Sequence, residues 1–322
     1  MNTVPIPSRL IEFLEAHDHF YIFSHVEPDG DCIGSSLALG SFLRRKGKSI
    51  TYVNPGPFDR PEISPLAPLF ESSISAAQGA GIVVDCSTLD RLGSVASQVS
   101  HLELAVIDHH SSGEDFGHIR WINTSSPATG LMIQMVIMAM GEFPTLEEAE
   151  HIFFAFATDT GFFRHLNDTS SFSFSLVSDL VKAGVSPKEM FHRVNGGSSF
   201  EAKKHLGLLL GAMEEYSNKR IILVAETLQM TQIFGRKNRE SDTFYQQCMT
   251  IGEVEVVALL REDEDGSITG GLRSRSFLDV GSLAAEMGGG GHQRAAGFRV
   301  SGPLEEVKKR LLGLLQEAMR LI

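Results

Sequence analysis

Through its first half the chain alternates short apolar runs with stretches of helical periodicity. Residues 20–23 (FYIF), 49–53 (SITYV), 81–84 (GIVV) and 104–107 (LAVI) are apolar or β-branched and bounded by polar residues, which predicts buried strands. Between them Leu10, Ile11, Phe13 and Leu14 fall at helical spacing behind Ser8, a candidate cap. Ile33, Leu37, Leu39, Phe42 and Leu43 repeat that spacing. Residues 55–68, rich in proline, read as an irregular loop. Strands alternating with helices predict an α/β domain on a doubly wound, mainly parallel sheet. Ligands of such sheets gather beyond the carboxyl ends of the strands.

After Trp121 the pattern turns helical. Residues 127–140 form an apolar helix, and Thr145-Leu-Glu-Glu148 is a capping box for the next, which carries Ile152, Phe153 and Phe156 and runs to Asp159. Asp168 opens a helix closed by Gly184, and Ser186-Pro-Lys-Glu189 reads as a second capping box. Asn195-Gly-Gly-Ser-Ser199 is the best hinge in the chain, followed by one more helix to about Tyr216. Beyond it the pattern is α+β. Strands are expected at 220–224, 254–260, 267–273 and 295–300, with Asp265-Gly266 as a hairpin turn and helices at 279–287 and 303–321. The expected plan is a domain over 1–194, a linker and helix over 195–218, and a smaller α+β domain over 219–322.

A length of 322 residues suits two domains, each with its own core. The formal charge of −12 argues against a general coat for long nucleic acid, but leaves room for a short anion held by a local basic cluster. The longest apolar run, 131–140, is too short to span a bilayer and contains Gln134. The first ten residues lack an apolar export core. Cys32, Cys86 and Cys248 have no paired spacing, so a reducing cytoplasm fits best.

The candidate chemistry sits where the predicted elements end. Residues 24–34, SHVEPDGDCIG, place His25, Asp29 and Asp31 between a strand and a helix, with Pro28 and Gly30 bending the backbone. Two carboxylates in one turn repel unless a cation neutralises them, and carboxylates with imidazole suit Mn²⁺ or Mg²⁺. Asp85 ends one strand, Asp108-His109-His110 another, and Asp159 a helix. Each has a plain alternative: an Asp-Gly turn with a capping carboxylate, a helix-capping Asp85, a core histidine, a turn acid. Together they resemble a two-metal hydrolytic site, in which ions roughly 3.5–4 Å apart polarise a phosphoryl oxygen and activate water.

The first motif, HVEPDGDCIGS, and the tripeptide Asp108-His109-His110 resemble those of the DHH phosphoesterase superfamily. Asp85 and Asp159 resemble its second and fourth motifs. Residues 271–275 (GLRSR) and 288–297 (GGGGHQRAAG) are similar to its DHH-associated C-terminal domain. The two-domain plan resembles the nanoRNase/pAp phosphatase group. This implies release of mononucleotides from very short RNAs and conversion of adenosine 3′,5′-bisphosphate (pAp) to AMP, with two Mn²⁺ as cofactors, or Mg²⁺ or Co²⁺ in their place.

The resemblance assigns His25 and Asp29 to one ion, Asp31, His109 and Asp159 to the other, and Asp85 to both. Asp108 would orient its neighbours, and His110 would sit near the scissile phosphate. Arg273, Ser274 and Arg275, with Gly289, Gly290, Gly291 and His292, would grip the substrate. Gly271 stands where this motif often has serine. Short oligonucleotides or small nucleotides are the implied partners, without long duplexes or membranes, and a homodimer is the family-level expectation. Linear or cyclic dinucleotides and short single-stranded DNA suit the same chemistry. A haloacid-dehalogenase-type phosphatase would explain Asp29 and Asp31 but leave His25 and the tripeptide without work. A non-catalytic nucleotide sensor would not need every ligand, and an EF-hand-like loop fails because the acidic spacing stops at Asp31.

Overall fold

The computed structural model describes residues 4–74, 78–111, 113–166 and 171–320. The chain divides into two compact units, residues 1–197 and 198–322.

The N-terminal unit is built on a five-stranded sheet: β1 (His19–Phe23), β2 (Ser49–Val53), β3 (Ala80–Val84), β4 (Glu103–Asp108) and β5 (Ile119–Ile122). The order is β2-β1-β3-β4-β5 and every pairing is parallel. Side chains alternate across it. Phe20, Ile22, Ile82, Val84, Ala105 and Ile107 enter one core, and Tyr21, Phe23, Val83, Leu104 and Val106 enter the other. The first core is covered by α1 (Ser8–Ala16), α2 (Gly30–Arg45), α4 (Thr129–Ala139) and α5 (Leu146–Asp159). A 3₁₀ stretch, Asp90–Val95, and the short α3 (Ala96–Val99) border the second. α6 (Ser171–Lys182) and α7 (Pro187–Asn195) complete the unit.

Close helix packing is set by small residues. A Cβ on Gly34 of α2 would come within 2.6 Å of the His151 carbonyl on α5, and one on Gly130 of α4 within 2.6 Å of the Ala155 Cβ. A Cβ on Gly30 would overlap the Thr158 side chain. The ends of α2 and α5 are tied by Arg45, whose Nε and Nη2 donate to the buried Glu148 carboxylate at 3.0 and 3.1 Å.

Several local expectations need correction. Ser8 is the first helical residue and Pro7 the cap position, with no side-chain cap bond. The end of the loop expected over 55–68 instead forms a 3₁₀ helix, Ser64–Leu69. The capping box at Thr145 and Glu148 is complete, whereas at Ser186 the side chain accepts from the Glu189 N–H without a recorded reciprocal bond. Asp168 lies outside the described residues.

The C-terminal unit has a six-stranded sheet ordered β10-β11-β9-β8-β7-β6, with β6 (Glu214–Tyr216), β7 (Ile221–Glu226), β8 (Val256–Glu262), β9 (Ser267–Ser274), β10 (Gly290–His292) and β11 (Ala295–Ser301). Only β7 and β8 pair in parallel. α11 (Val280–Glu286) and α12 (Leu304–Arg320) cover one face. α8 (Phe200–Gly211) and α10 (Ser241–Met249) cover the other, near α9 (Leu228–Phe234). The helix expected to reach Tyr216 stops at Gly211, and β6 takes its last residues. The glycine run, which carried no strand expectation, supplies the edge strand β10.

Candidate active site

The sheet order reverses at β1, whose neighbours are β2 and β3, and the polar residues collect beyond the carboxyl ends of β1, β3 and β4. His25 follows β1, Asp85 follows β3, and Asp108 ends β4 ahead of His109 and His110. Asp29 caps α2 by accepting from the Cys32 N–H at 3.0 Å, and Asp31 lies in the first turn. Asp159 is the last residue of α5.

Two groups of ligand-type atoms result. His25 Nε2 lies 3.7 Å from Asp29 Oδ2 and 3.6 Å from Asp85 Oδ2. His109 Nε2 lies 3.8 Å from Asp31 Oδ2, 3.5 Å from Asp85 Oδ1 and 3.7 Å from Asp159 Oδ2. Asp85 thus turns one oxygen to each imidazole. All six residues that the resemblance assigns to metal come together in the N-terminal unit: the ligand atoms of His25, Asp29 and Asp85 lie within 4.8 Å of one another, as do those of Asp31, His109 and Asp159, and those of Asp85, His109 and His110.

The imidazoles are set for ligation. His25 Nδ1 is 2.8 Å from the Val26 carbonyl and His109 Nδ1 is 3.2 Å from that of Ser126, so each ring donates through Nδ1 and turns Nε2 to the carboxylates. Both Nε2 atoms are buried and have no hydrogen-bond partner, as expected where a cation completes the site. Carboxylate oxygens with imidazole nitrogens suit a divalent ion of intermediate hardness.

Electrostatics point the same way. Burial, with Asp31, Asp29, Asp108 and Asp159 nearby, holds the Asp85 carboxyl well above its usual range. Burial also raises Asp31, against the pull of His109, and lifts Asp159 to about 6 with Asp31 adding to the effect. Asp29 goes the other way: burial opposes its charge, but the contact with His25 outweighs it and holds the carboxyl below its usual range. Burial likewise opposes a charge on His25, yet Cys32 and Asp29 carry its pKa up to about 10. Crowded acids of this kind need positive charge between them.

Asp108 is tied to its own segment. Its Oδ1 accepts from the His109 N–H at 2.8 Å, the His110 N–H at 3.2 Å and His110 Nδ1 at 2.7 Å. That contact raises the His110 pKa and leaves Nε2 of a half-exposed ring free of the pairing. Sequence reasoning missed Thr129, at the start of α4. Its N–H donates to Asp31 Oδ2 at 2.7 Å, the Gly130 N–H to Asp31 Oδ1 at 2.9 Å, and its hydroxyl to Asp85 Oδ1 at 3.0 Å. Asp31 thereby occupies a helix N-terminus. Asn54 was missed as well; its Nδ2 donates to the His25 carbonyl at 2.8 Å and fixes that loop. Asp85 has φ +56, a strained backbone that no sequence signal marked.

In the C-terminal unit the expected substrate residues differ among themselves. Arg275 donates to the carbonyls of Met249, the last residue of α10, and of Ile251 and Gly252 beyond it, and the Ser274 hydroxyl to those of Leu278 and Gln293. Both side chains are committed to holding backbone. Arg273 lies over the Tyr245 ring, 4.8 Å from its centroid, with its head group partly exposed. The Tyr245 hydroxyl fills the space a side chain at Gly271 would need. Gly290, Gly291 and His292 form the exposed edge of the sheet. A Cβ at Gly289 would overlap the Gly297 carbonyl, and Gly291 has φ +146, so both positions require glycine.

Residues 19–156 match the model of the DHH family, N-terminal domain, and residues 226–321 that of the DHHA1 domain. The chain is 28% identical over 308 residues to the bifunctional oligoribonuclease and PAP phosphatase NrnA of Thermus thermophilus, covering 93% of this chain and 90% of that protein. The protein of the same name from Bacillus subtilis is 26% identical, with 91% and 93% covered. A crystal structure of an exopolyphosphatase-related protein from Bacteroides fragilis superposes with a TM-score of 0.80 at 27% identity, over 97% of this chain and 95% of that one. With its N-terminal DHH domain and DHHA1 domain, the chain belongs to the DHH family of metal-dependent phosphoesterases.

Proposed function

We propose that this protein hydrolyses very short oligoribonucleotides to mononucleotides and pAp to AMP. The observation that carries the reading is Asp85 with one carboxylate oxygen toward each of two buried, unpartnered imidazole nitrogens. That is the donor arrangement of a paired-cation site, and relatives matched along most of their length bear both activities in their names.

His25 and Asp29 would hold one divalent ion, Asp31, His109 and Asp159 the other, and Asp85 both. Mn²⁺ is the first candidate, ahead of Mg²⁺ and Co²⁺. Such ions, when bound, polarise a phosphoryl oxygen and lower the pKa of water. The chain's own residues do the rest. Asp108 keeps a proton on His110 Nδ1, so that a charged ring presents Nε2–H to the leaving oxygen. Thr129 and the start of α4 hold Asp31 and Asp85 in place. In the C-terminal unit, Arg273 and the glycine edge of β10 are the anion-binding candidates, and Ser274 and Arg275 support them. Three buried free cysteines fit a reducing cytoplasm. Among the described residues, no helix is long and apolar enough to cross a membrane.

The test is one panel: RNAs of two to five nucleotides, a long RNA, short single-stranded DNA, pAp, pApA and a cyclic dinucleotide, each with Mn²⁺, Mg²⁺ or chelator. Turnover concentrated on short RNA and pAp, and lost with chelator, is expected. Tight nucleotide binding without cation-stimulated turnover would instead make the protein a sensor.

A further inference from the structure

The proposed cation cluster leaves one electrostatic need unmet. Its four carboxylates, Asp29, Asp31, Asp85 and Asp159, balance two divalent cations, so an arriving phosphoryl anion finds no surplus positive charge among the ligands. Two exposed arginines of the same unit lie near the cluster, and neither guanidinium has a recorded hydrogen bond or ion pair among the described residues: Arg60 and Arg91. Arg45 and Arg120, by contrast, are spent on carboxylates.

Arg91 is fixed beside the first motif. The Val26 N–H, one residue after His25, donates to the Arg91 carbonyl at 2.7 Å. Gly93, with φ +62, presses the same turn against Val26, where a Cβ would stand 2.5 Å from Cγ1. The Arg91 charge acts on His110 and Cys86, and that of Arg60 on Asp29. Arg60 sits in the loop that approaches the same motif from the other strand, through the Glu27 N–H to the Gly56 carbonyl at 3.3 Å. An unpaired guanidinium can take two phosphate oxygens at once, which a hydrated lysine does less well.

We infer that Arg91 is a phosphate-binding residue of the active site, gripping the scissile phosphoryl group beside His110, with Arg60 supplying a second guanidinium from the Asp29 side. This deepens the phosphoesterase reading above and rests on it. It adds to that reading a basic contact in the metal-binding unit, independent of the DHHA1 arginines.

The experiment compares wild type, Arg91→Gln, Arg91→Lys and Arg60→Gln, all as full chains. Inorganic phosphate binding to the Mn²⁺-loaded protein is read by calorimetry, and kcat/KM on pAp in parallel. Arg91→Gln is expected to lower both by roughly 10- to 100-fold. Mn²⁺ affinity and Tm should stay at wild-type values, Arg91→Lys should recover part of the loss, and Arg60→Gln should show a smaller one. Phosphate binding within twofold of wild type in Arg91→Gln would overturn the inference. So would absence of phosphate binding in wild type, or a loss of Tm and Mn²⁺ affinity that parallels the loss of phosphate. Wild-type protein that binds phosphate through Arg91 but hydrolyses nothing in the panel would sink the proposed activity and leave this inference standing.

Discussion

Replacing Thr129 by valine tests whether the start of α4 organises the cluster. The residue is fully buried and valine has nearly its shape, so the substitution removes one hydroxyl and little volume. The backbone N–H that holds Asp31 survives; the 3.0 Å bond from the hydroxyl to Asp85 Oδ1 does not. A buried carboxylate oxygen that loses such a donor costs about 1–3 kcal/mol. In a unit of this size that is a fall in Tm of several degrees, at about 2–4 °C per kcal/mol. Loss of a group that orients a metal ligand typically lowers cation affinity about 10–100-fold. Thermal melts in chelator and calorimetric Mn²⁺ titrations read the two effects separately. Thr129→Ser restores the hydroxyl and should recover most of both. If Thr129→Val keeps wild-type Tm and Mn²⁺ affinity, or Thr129→Ser is as damaged as Thr129→Val, the hydroxyl does not hold Asp85.

Gly34→Ala puts a methyl against the His151 carbonyl and Ala155, so overpacking should cost about 1–3 kcal/mol and spread α2 from α5. A chemical-denaturation midpoint and the Mn²⁺ stoichiometry would register it, with the site shared by Asp31 and Asp159 weakened first. In the C-terminal unit the buried Glu226 accepts from Thr231, Arg239 and Arg261. Burial opposes its charge, but Arg261 and the other partners outweigh it and hold its pKa below the ordinary 4.5. Its contribution is therefore present above pH 4.5 and lost as the pH falls through the lower native value. Urea melts between pH 5 and pH 3 should show that loss, and Glu226→Gln should be less stable near neutrality and less acid-sensitive.

Four strands of the parallel sheet were legible because they are short apolar or β-branched runs, and three of these, β1, β3 and β4, lead straight to an acid or a histidine. Thr145 and Glu148 carried an unambiguous helix start. The four residues of β5 were not legible, because only Ile119 and Trp121 are buried and the segment lies beside a helical pattern. α9 and α10 were missed because little apolar periodicity marks residues 228–249. β10 hid in a glycine run whose strand state is set by pairing with β11. The ligand types at the site could be listed from local motifs, since each stands at an element end. Their supports could not: Thr129, Asn54 and the Ser126 carbonyl act through partners distant in the chain. The same holds for Arg275, whose motif suggests an anion contact while its guanidinium lies among three carbonyls.

The proposed reaction depends on Asp85 being shared between two cations. Anomalous diffraction at the manganese edge from Mn²⁺-soaked crystals of wild type and Asp85→Asn tests it most directly. Two peaks about 3.5–4 Å apart in wild type, with Asp85 between them, are predicted. In Asp85→Asn the pair should lose occupancy without change of fold. A single peak, or two that leave Asp85 untouched, would contradict the claim.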